Sequence, residues 1–295
     1  MVKNPDHYPV LDAARGVAAL IVFLYHLKEF VYPHIVLGSF GFLTKSYLAV
    51  DLFFLMSGLV IARSYAAKLM DGSMTFRGFV MTRLIRLYPL YILGIFTGLG
   101  YLVFKDLIKG EAPENWGDVV LSLGLNSIFI PDFWNKDGIF VLDPAAWSLA
   151  LEWGINLIYA AWAVRFSIRK LMIVLAVSAA GLAGYGACVG NLDLGWAGEN
   201  FIGGGLRICF SFTLGIWMFR MIEQQERNKY KIQNKALAIV LLVIIAFFLV
   251  FPGVSASVYD DFLCVFLVFP LCVYAACFSL VSAKLKALFL VLGNM

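Results

Sequence analysis

Apolar runs of sixteen to twenty residues recur along the chain, at residues 10–27, 47–62, 87–104, 147–164, 171–188, 203–218, 236–251 and 262–281, each set off from the next by a polar or charged stretch. Coiled as helices, runs of this length match the hydrocarbon thickness of a bilayer. A ninth run, 287–295, reads as the opening of a further span that stops. The pattern predicts an all-α, polytopic transmembrane helix bundle of about eight spans plus a truncated stub. It reads as a single membrane domain over residues 1–295, lacking its last helix or helices.

Composition agrees with the pattern. Hydrophobic residues make up 62% of the chain and charged residues 14%, against about 25% charged in soluble domains. The first ten residues, MVKNPDHYPV, are polar, and no small-residue cleavage site follows the first run. That run therefore reads as a retained span and not a signal peptide. Cys188, Cys209, Cys264, Cys272 and Cys277 lie in or beside apolar segments, without CxxC spacing or a nearby His. They read as packing residues, with no metal site implied.

Charge sets the orientation. With the N-terminus in the cytoplasm, sixteen Lys and Arg fall on the inner side and five (Lys28, Lys45, Lys105, Lys109 and Lys136) on the outer. The reverse topology would invert that split, against the positive-inside rule. The same rule settles the apolar segment 119–130, which is short for a crossing. If it crossed, the later basic loops would face outward. Residues 105–146 are therefore expected to form an outer cap, acidic and aromatic, with Glu111, Glu114, Trp116, Asp118, Asp132, Trp134, Asp137 and Asp143. The net charge of +4 follows topology and gives no reason to expect a nucleic-acid partner.

Within this frame a few residues could carry chemistry. Arg15 and His26 lie in the first run with ten residues between them. An eleven-residue step on a helix is about three turns, so they share a face, roughly 16 Å apart along the axis. Ionisable groups inside a membrane are costly and mark function by default. His26, near the outer end, is the candidate general base; the bland alternative is an interfacial His bonded to a carbonyl. Asp51 opens the second run and Glu152 lies a turn inside the fourth, both expected near the outer face. Either carboxylate could orient the imidazole, with Glu152 preferred because it is deeper; Asp51 also reads as a helix N-cap. Arg15, near the inner end, either pairs with Asp12 or holds an anion entering from the cytoplasm. Arg83 and Arg86, in TRLIRLYP, can grip phosphates together or simply set topology.

Ser57 and Gly58 read as a close-packing pair and not a nucleophile, since no GxSxG surrounds them. Gly203–Gly205 lacks the Lys-Ser/Thr of a P-loop and reads as flexible backbone at a helix start. Arg207 could balance Glu199 or Glu152, or bind substrate. Trp116 and Trp134 could stack on sugar faces, or form an interfacial aromatic belt.

Taken together, these segments resemble a known family. Arg-x10-His at Arg15 and His26, VDLFFLMSGLVIARSY, RLIRLYPLY and AAWSLALEW are similar, in that order, to four motifs of the acyltransferase-3 membrane acyltransferases, the bacterial cell-surface O-acetyltransferase type. The likeness is specific over about the first 165 residues and generic beyond. It implies a multi-pass protein of the bacterial inner membrane, with no bound cofactor. Such a protein moves an acyl group, commonly acetyl, from cytoplasmic acyl-CoA to a hydroxyl of an envelope glycan or similar acceptor. His26 would be the base, helped by Glu152 and Asp51. Arg83, Arg86 and Arg15 would hold the donor. Trp116, Trp134 and Arg207 would serve the acceptor. Family members usually continue through a further helix that this chain does not reach. The rival readings are a transporter in which Arg15, His26 and Glu152 form a proton or anion path, and an inactive scaffold.

Overall fold

The computed structural model describes residues 8–31, 43–111, 113, 115–226, 235–250 and 257–279. The long elements are helices: α1 (Pro9–Val31), α2 (Ala49–Met70), α3 (Phe76–Lys109), α4 (Trp116–Ser127), α5 (Ala146–Ala161), α6 (Ile168–Val189), α7 (Phe201–Glu226), α8 (Lys235–Val250), α9 (Val258–Leu263) and α10 (Phe269–Phe278). Six helical segments are long and apolar enough to cross a membrane, so the chain is a polytopic helical membrane protein. Of the eight expected spans, α5 and α8 are the short ones, at 16 residues each. Helix α4 is 12 residues long. The expected stub at 287–295 and the cap residue Glu114 lie outside the described residues.

The last span is one helical rod with a fault in it. Pro270 has no amide hydrogen to give the turn before it, and residues Cys264–Val268 widen into a π turn. Across that turn the Phe269 amide donates to the Cys264 carbonyl, five residues back. Helix α3 is the other departure from the expected spans. It begins at Phe76, eleven residues before the apolar run, and carries Arg83 and Arg86 on its first turns. Thr75 starts it as an N-cap, its hydroxyl accepting from the Gly78 amide at 3.1 Å.

The chain divides into two compact units interleaved in sequence. The first holds Met1–Ser64, Leu171–Asp193 and Phe210–Met295; the second holds Tyr65–Lys170 and Leu194–Cys209. In the first unit α1 packs on α8 and α10. The turn Ser46–Leu48 that leads into α2 is pinned to the end of α8, with the Ser46 hydroxyl donating to the Leu249 carbonyl at 3.2 Å and the Leu43 amide to Val250 at 2.7 Å. Helix α2 is apolar on all sides, and its span is 72% buried, as expected of an internal helix.

The crossing of α2 and α7 depends on two glycines. A β-carbon at Gly58 would stand 2.0 Å from the Phe212 carbonyl oxygen, and one at Gly215 would stand 2.2 Å from that of Leu55. The backbones touch with nothing between them, as small-residue membrane crossings do. The close-packing reading of Ser57–Gly58 therefore holds. Gly58→Ala is expected to cost about 1–3 kcal/mol, because the obstructing atoms are backbone and cannot swing aside. Thermal unfolding of the purified protein in lipid nanodiscs measures it; an unchanged midpoint would refute the contact.

In the second unit α3 packs on α4 and α5. Gly98 of α3 lies against the Leu142 carbonyl, 1.6 Å from where a β-carbon would sit, which seats the segment leading into α5 against α3. Phe129 adopts φ +64°, unusual for a non-glycine residue. Its ring is held between Tyr91, at 4.1 Å between centroids, and Trp153, at 5.3 Å. The Tyr91 hydroxyl donates to the Asn126 carbonyl at 2.5 Å and closes the same corner.

Candidate functional site

The residues singled out from the sequence divide between the two units. Arg15, His26 and Asp51 belong to the first; Arg83, Arg86, Glu152, Trp116, Trp134 and Arg207 belong to the second.

In the first unit, His26 and Arg15 are half-buried on α1. The His26 ring meets Tyr25 edge to face at 5.2 Å between centroids. Asp51, in the first turn of α2, is 1% exposed, so it is no solvated cap. At the start of α1, Tyr8 takes the Arg63 guanidinium over its ring at 4.2 Å and accepts a hydrogen bond from it. A buried charge cluster lies beside the entry to α2. The Lys45 ammonium donates to Asp261 Oδ1 at 2.5 Å and to the Ser257 carbonyl at 3.2 Å. Asp261 Oδ2 accepts from the Tyr47 hydroxyl at 2.7 Å and the Leu192 amide at 2.8 Å. Every group in it has a partner, so it reads as a tie between segments. From the sequence Lys45 is an outer-loop cation and nothing more, because its partner lies 216 residues away.

In the second unit, two expected site residues meet. Arg83 Nη2 lies 3.1 Å from Glu152 Oε1, with side chains 6% and 16% exposed. Arg83 points into the unit, while Arg86, three residues on, is exposed. Residues three apart on a helix differ by 60° in direction, which is enough to send one guanidinium inward and leave the other out. The two arginines therefore do not form one paired grip. Neither the partner of Arg83 nor that of Glu152 was evident from local spacing.

Four residues beyond Glu152, on the same stripe of α5, lies Asn156. It is fully buried, and neither Oδ1 nor Nδ2 has a hydrogen-bond partner among the described residues. Four residues further, Ala160 lines a cavity of about 400 Å³ together with Ala161, Arg165, Leu69, Thr75 and Phe76. The loop on its other side is held by Asp71, whose carboxylate accepts from the Ser73 amide at 2.8 Å. That amide, with the Ser73 hydroxyl, holds the Asp71 carboxyl below the usual carboxylate range.

Arg207 is wholly buried. Its Nη1 donates to the Leu194 carbonyl at 2.8 Å, and its guanidinium lies over the Trp147 ring at 5.5 Å. The sequence suggests an acidic partner or a substrate for it; the structure adds a carbonyl and an indole face, which local spacing does not reveal. The triple glycine nearby is a correction. Gly203 and Gly204 lie inside the first turn of α7, where β-carbons would come within 2.7 Å of Leu194 and 2.6 Å of the Gly195 α-carbon. They are kept small by close approach and are not a flexible start.

Between α4 and α5, Asp132 is 1% exposed. It accepts from the Ser122 hydroxyl at 2.7 Å and the Trp134 amide at 3.1 Å. This acid ties the α4–α5 connection to α4 through Ser122. Trp134 is 77% exposed and Trp116 37%.

The five cysteines are free. Among the described residues no group of three or more His, Cys, Asp or Glu side chains gathers as for a metal.

Comparison with known proteins adds two findings. A family model described as an acyltransferase domain, acyltransferase-3, matches residues 8–295. The chain is 34% identical over 186 residues to "Protein 2 in picA locus" of Rhizobium radiobacter, an alignment covering 59% of this chain and 92% of that protein. No solved structure matches.

Proposed function

The chain belongs to the acyltransferase-3 family, and from that premise we propose that it is a membrane O-acyltransferase. It moves an acyl group, acetyl by preference, from cytoplasmic acyl-CoA to a hydroxyl of an envelope glycan at the outer face of the bacterial inner membrane. The observation that carries this reading is the buried pair of Arg83 and Glu152. These residues come from two of the segments similar to the family, 69 residues apart in sequence. A guanidinium held by a carboxylate, on the stripe that leads to the cavity at Arg165, is an anion-binding group kept in one orientation. With the N-terminus inside, that cavity opens toward the cytoplasm, where the donor is found.

His26 takes the proton of the acceptor hydroxyl as its oxygen attacks the thioester carbonyl. The C–O bond forms, the C–S bond breaks, and the imidazolium returns the proton to the departing thiolate. Asp51, buried in the same compact unit as His26, is the carboxylate better suited to orient the imidazole. Glu152 is engaged with Arg83 and serves the donor side. The exposed Trp134 offers its ring to a sugar face of the acceptor.

Purified full chain in nanodiscs, given acetyl-CoA and a hydroxyl-rich envelope glycan, is expected to release free thiol only when the acceptor is present. Acceptor flux across a sealed vesicle without thiol release would reject the enzyme reading in favour of transport. Mass spectrometry of envelope glycans with and without the gene then identifies the acylated acceptor.

A further inference from the structure

Asn156 has no role in the chemistry above, yet its burial is costly. A carboxamide removed from water without hydrogen bonds costs free energy that an apolar residue of the same size would not. Asn156 is 0% exposed, and both polar atoms of its amide lack partners among the described residues. It lies one turn, about 6 Å of helix rise, from Glu152 on one side and from Ala160 on the other. The stripe therefore runs from the cavity wall, to a vacant amide, to the Arg83–Glu152 pair.

A vacant carboxamide offers one donor and one acceptor side by side. A trans secondary amide meets it through one group at a time, its N–H donating to Oδ1 or its C=O accepting from Nδ2, because those two groups point opposite ways across the amide plane. The arm of acyl-CoA is a flexible chain carrying two secondary amides with the thioester at its end. We propose that Asn156 binds a secondary amide of the donor arm, which enters by the cavity at Ala160, Ala161 and Arg165 and passes along the Glu152–Asn156 stripe of α5. This rests on acyl-CoA being the donor. Asn156 is a binding residue: it sets how far the arm reaches into the protein, and it leaves the acyl transfer itself to other groups.

The test uses Asn156→Leu, close in volume, with Asn156→Ala as a second variant, in the full chain in nanodiscs. Two probes are titrated: acetyl-CoA, and adenosine 3′,5′-bisphosphate, which carries the phosphates but no amide. Asn156→Leu is expected to melt above the wild type, because an unsatisfied buried amide has gone. Both variants are expected to bind acetyl-CoA up to about tenfold more weakly, the value of one buried hydrogen bond, with bisphosphate affinity unchanged. Four results overturn the proposal. Unchanged acetyl-CoA affinity shows the amide does not meet the arm, and leaves the donor reading standing. Equal loss for both probes shows a general distortion. A lower melting point for Asn156→Leu shows that the carboxamide is satisfied within the fold. A wild type that binds neither probe defeats the donor reading and this inference with it.

Discussion

Replacing His26 with alanine should abolish acceptor-dependent thiol release while the protein still folds and inserts. His26 is half-buried on α1, and its ring touches Tyr25, so its loss removes little packing. An imidazole is the one side chain whose ordinary pKa lets it accept and return a proton near neutrality. General-base removal alone costs about 10²–10⁴ in rate, and no other His occurs in the described residues of the chain. Donor binding should survive, because the groups assigned to it, Arg83 and Glu152, belong to the other compact unit. The measurement is kcat for thiol release beside an acetyl-CoA titration on the same preparation. A His26→Ala protein with wild-type turnover would remove His26 from the mechanism. One that no longer bound acetyl-CoA would place the residue in the donor site instead.

What could be read from the chain, and what could not, follows from the range of the interactions involved. Apolar runs are local signals, so the helices appear where the pattern places them and α4 is short. Element ends are weaker signals. Helix α3 starts at Phe76 because Thr75 caps it, although the apolar run begins later. The Arg15–His26 spacing is likewise local and needs only one helix.

Pairings between distant segments are another matter. Arg83 finds Glu152 across 69 residues, and Lys45 finds Asp261 across 216. Nothing in either neighbourhood distinguishes a buried cation from a topology-setting one. The glycines illustrate the same limit. Gly58 was legible as a packing residue because a Ser-Gly pair in an apolar run has one common use. Gly203 and Gly204 read as flexible from the sequence because their obstacles, Leu194 and Gly195, become close only in the folded chain. Asn156 gives no signal in the sequence: a neutral polar residue in a mostly apolar helix becomes informative only when its burial and its empty valences are both visible.

The Arg83–Glu152 pair is where fold and function can be separated by mutation. Glu152→Ala strips a cation that is 5% exposed of the carboxylate facing it at 3.1 Å. Breaking one side of a buried pair costs about 3–5 kcal/mol, mostly the penalty of the charge left behind. Arg83→Leu should cost a similar amount for the opposite charge. Removing both charges is different. The double variant Arg83→Met with Glu152→Leu leaves no stranded ion, and exchanging a buried pair for apolar residues is often neutral or stabilising. Its unfolding midpoint should therefore return to near the wild-type value, while acetyl-CoA binding and thiol release stay lost. Arg83→Lys should rescue stability better than binding, because an ammonium neutralises the carboxylate but lacks the planar fork that grips a phosphate. If the double variant is stable and binds the donor normally, the pair is a structural tie and the anion site lies elsewhere. If Glu152→Ala is as stable as the wild type, the pair contributes nothing, and the stripe on α5 loses the fixed end from which the donor path was drawn.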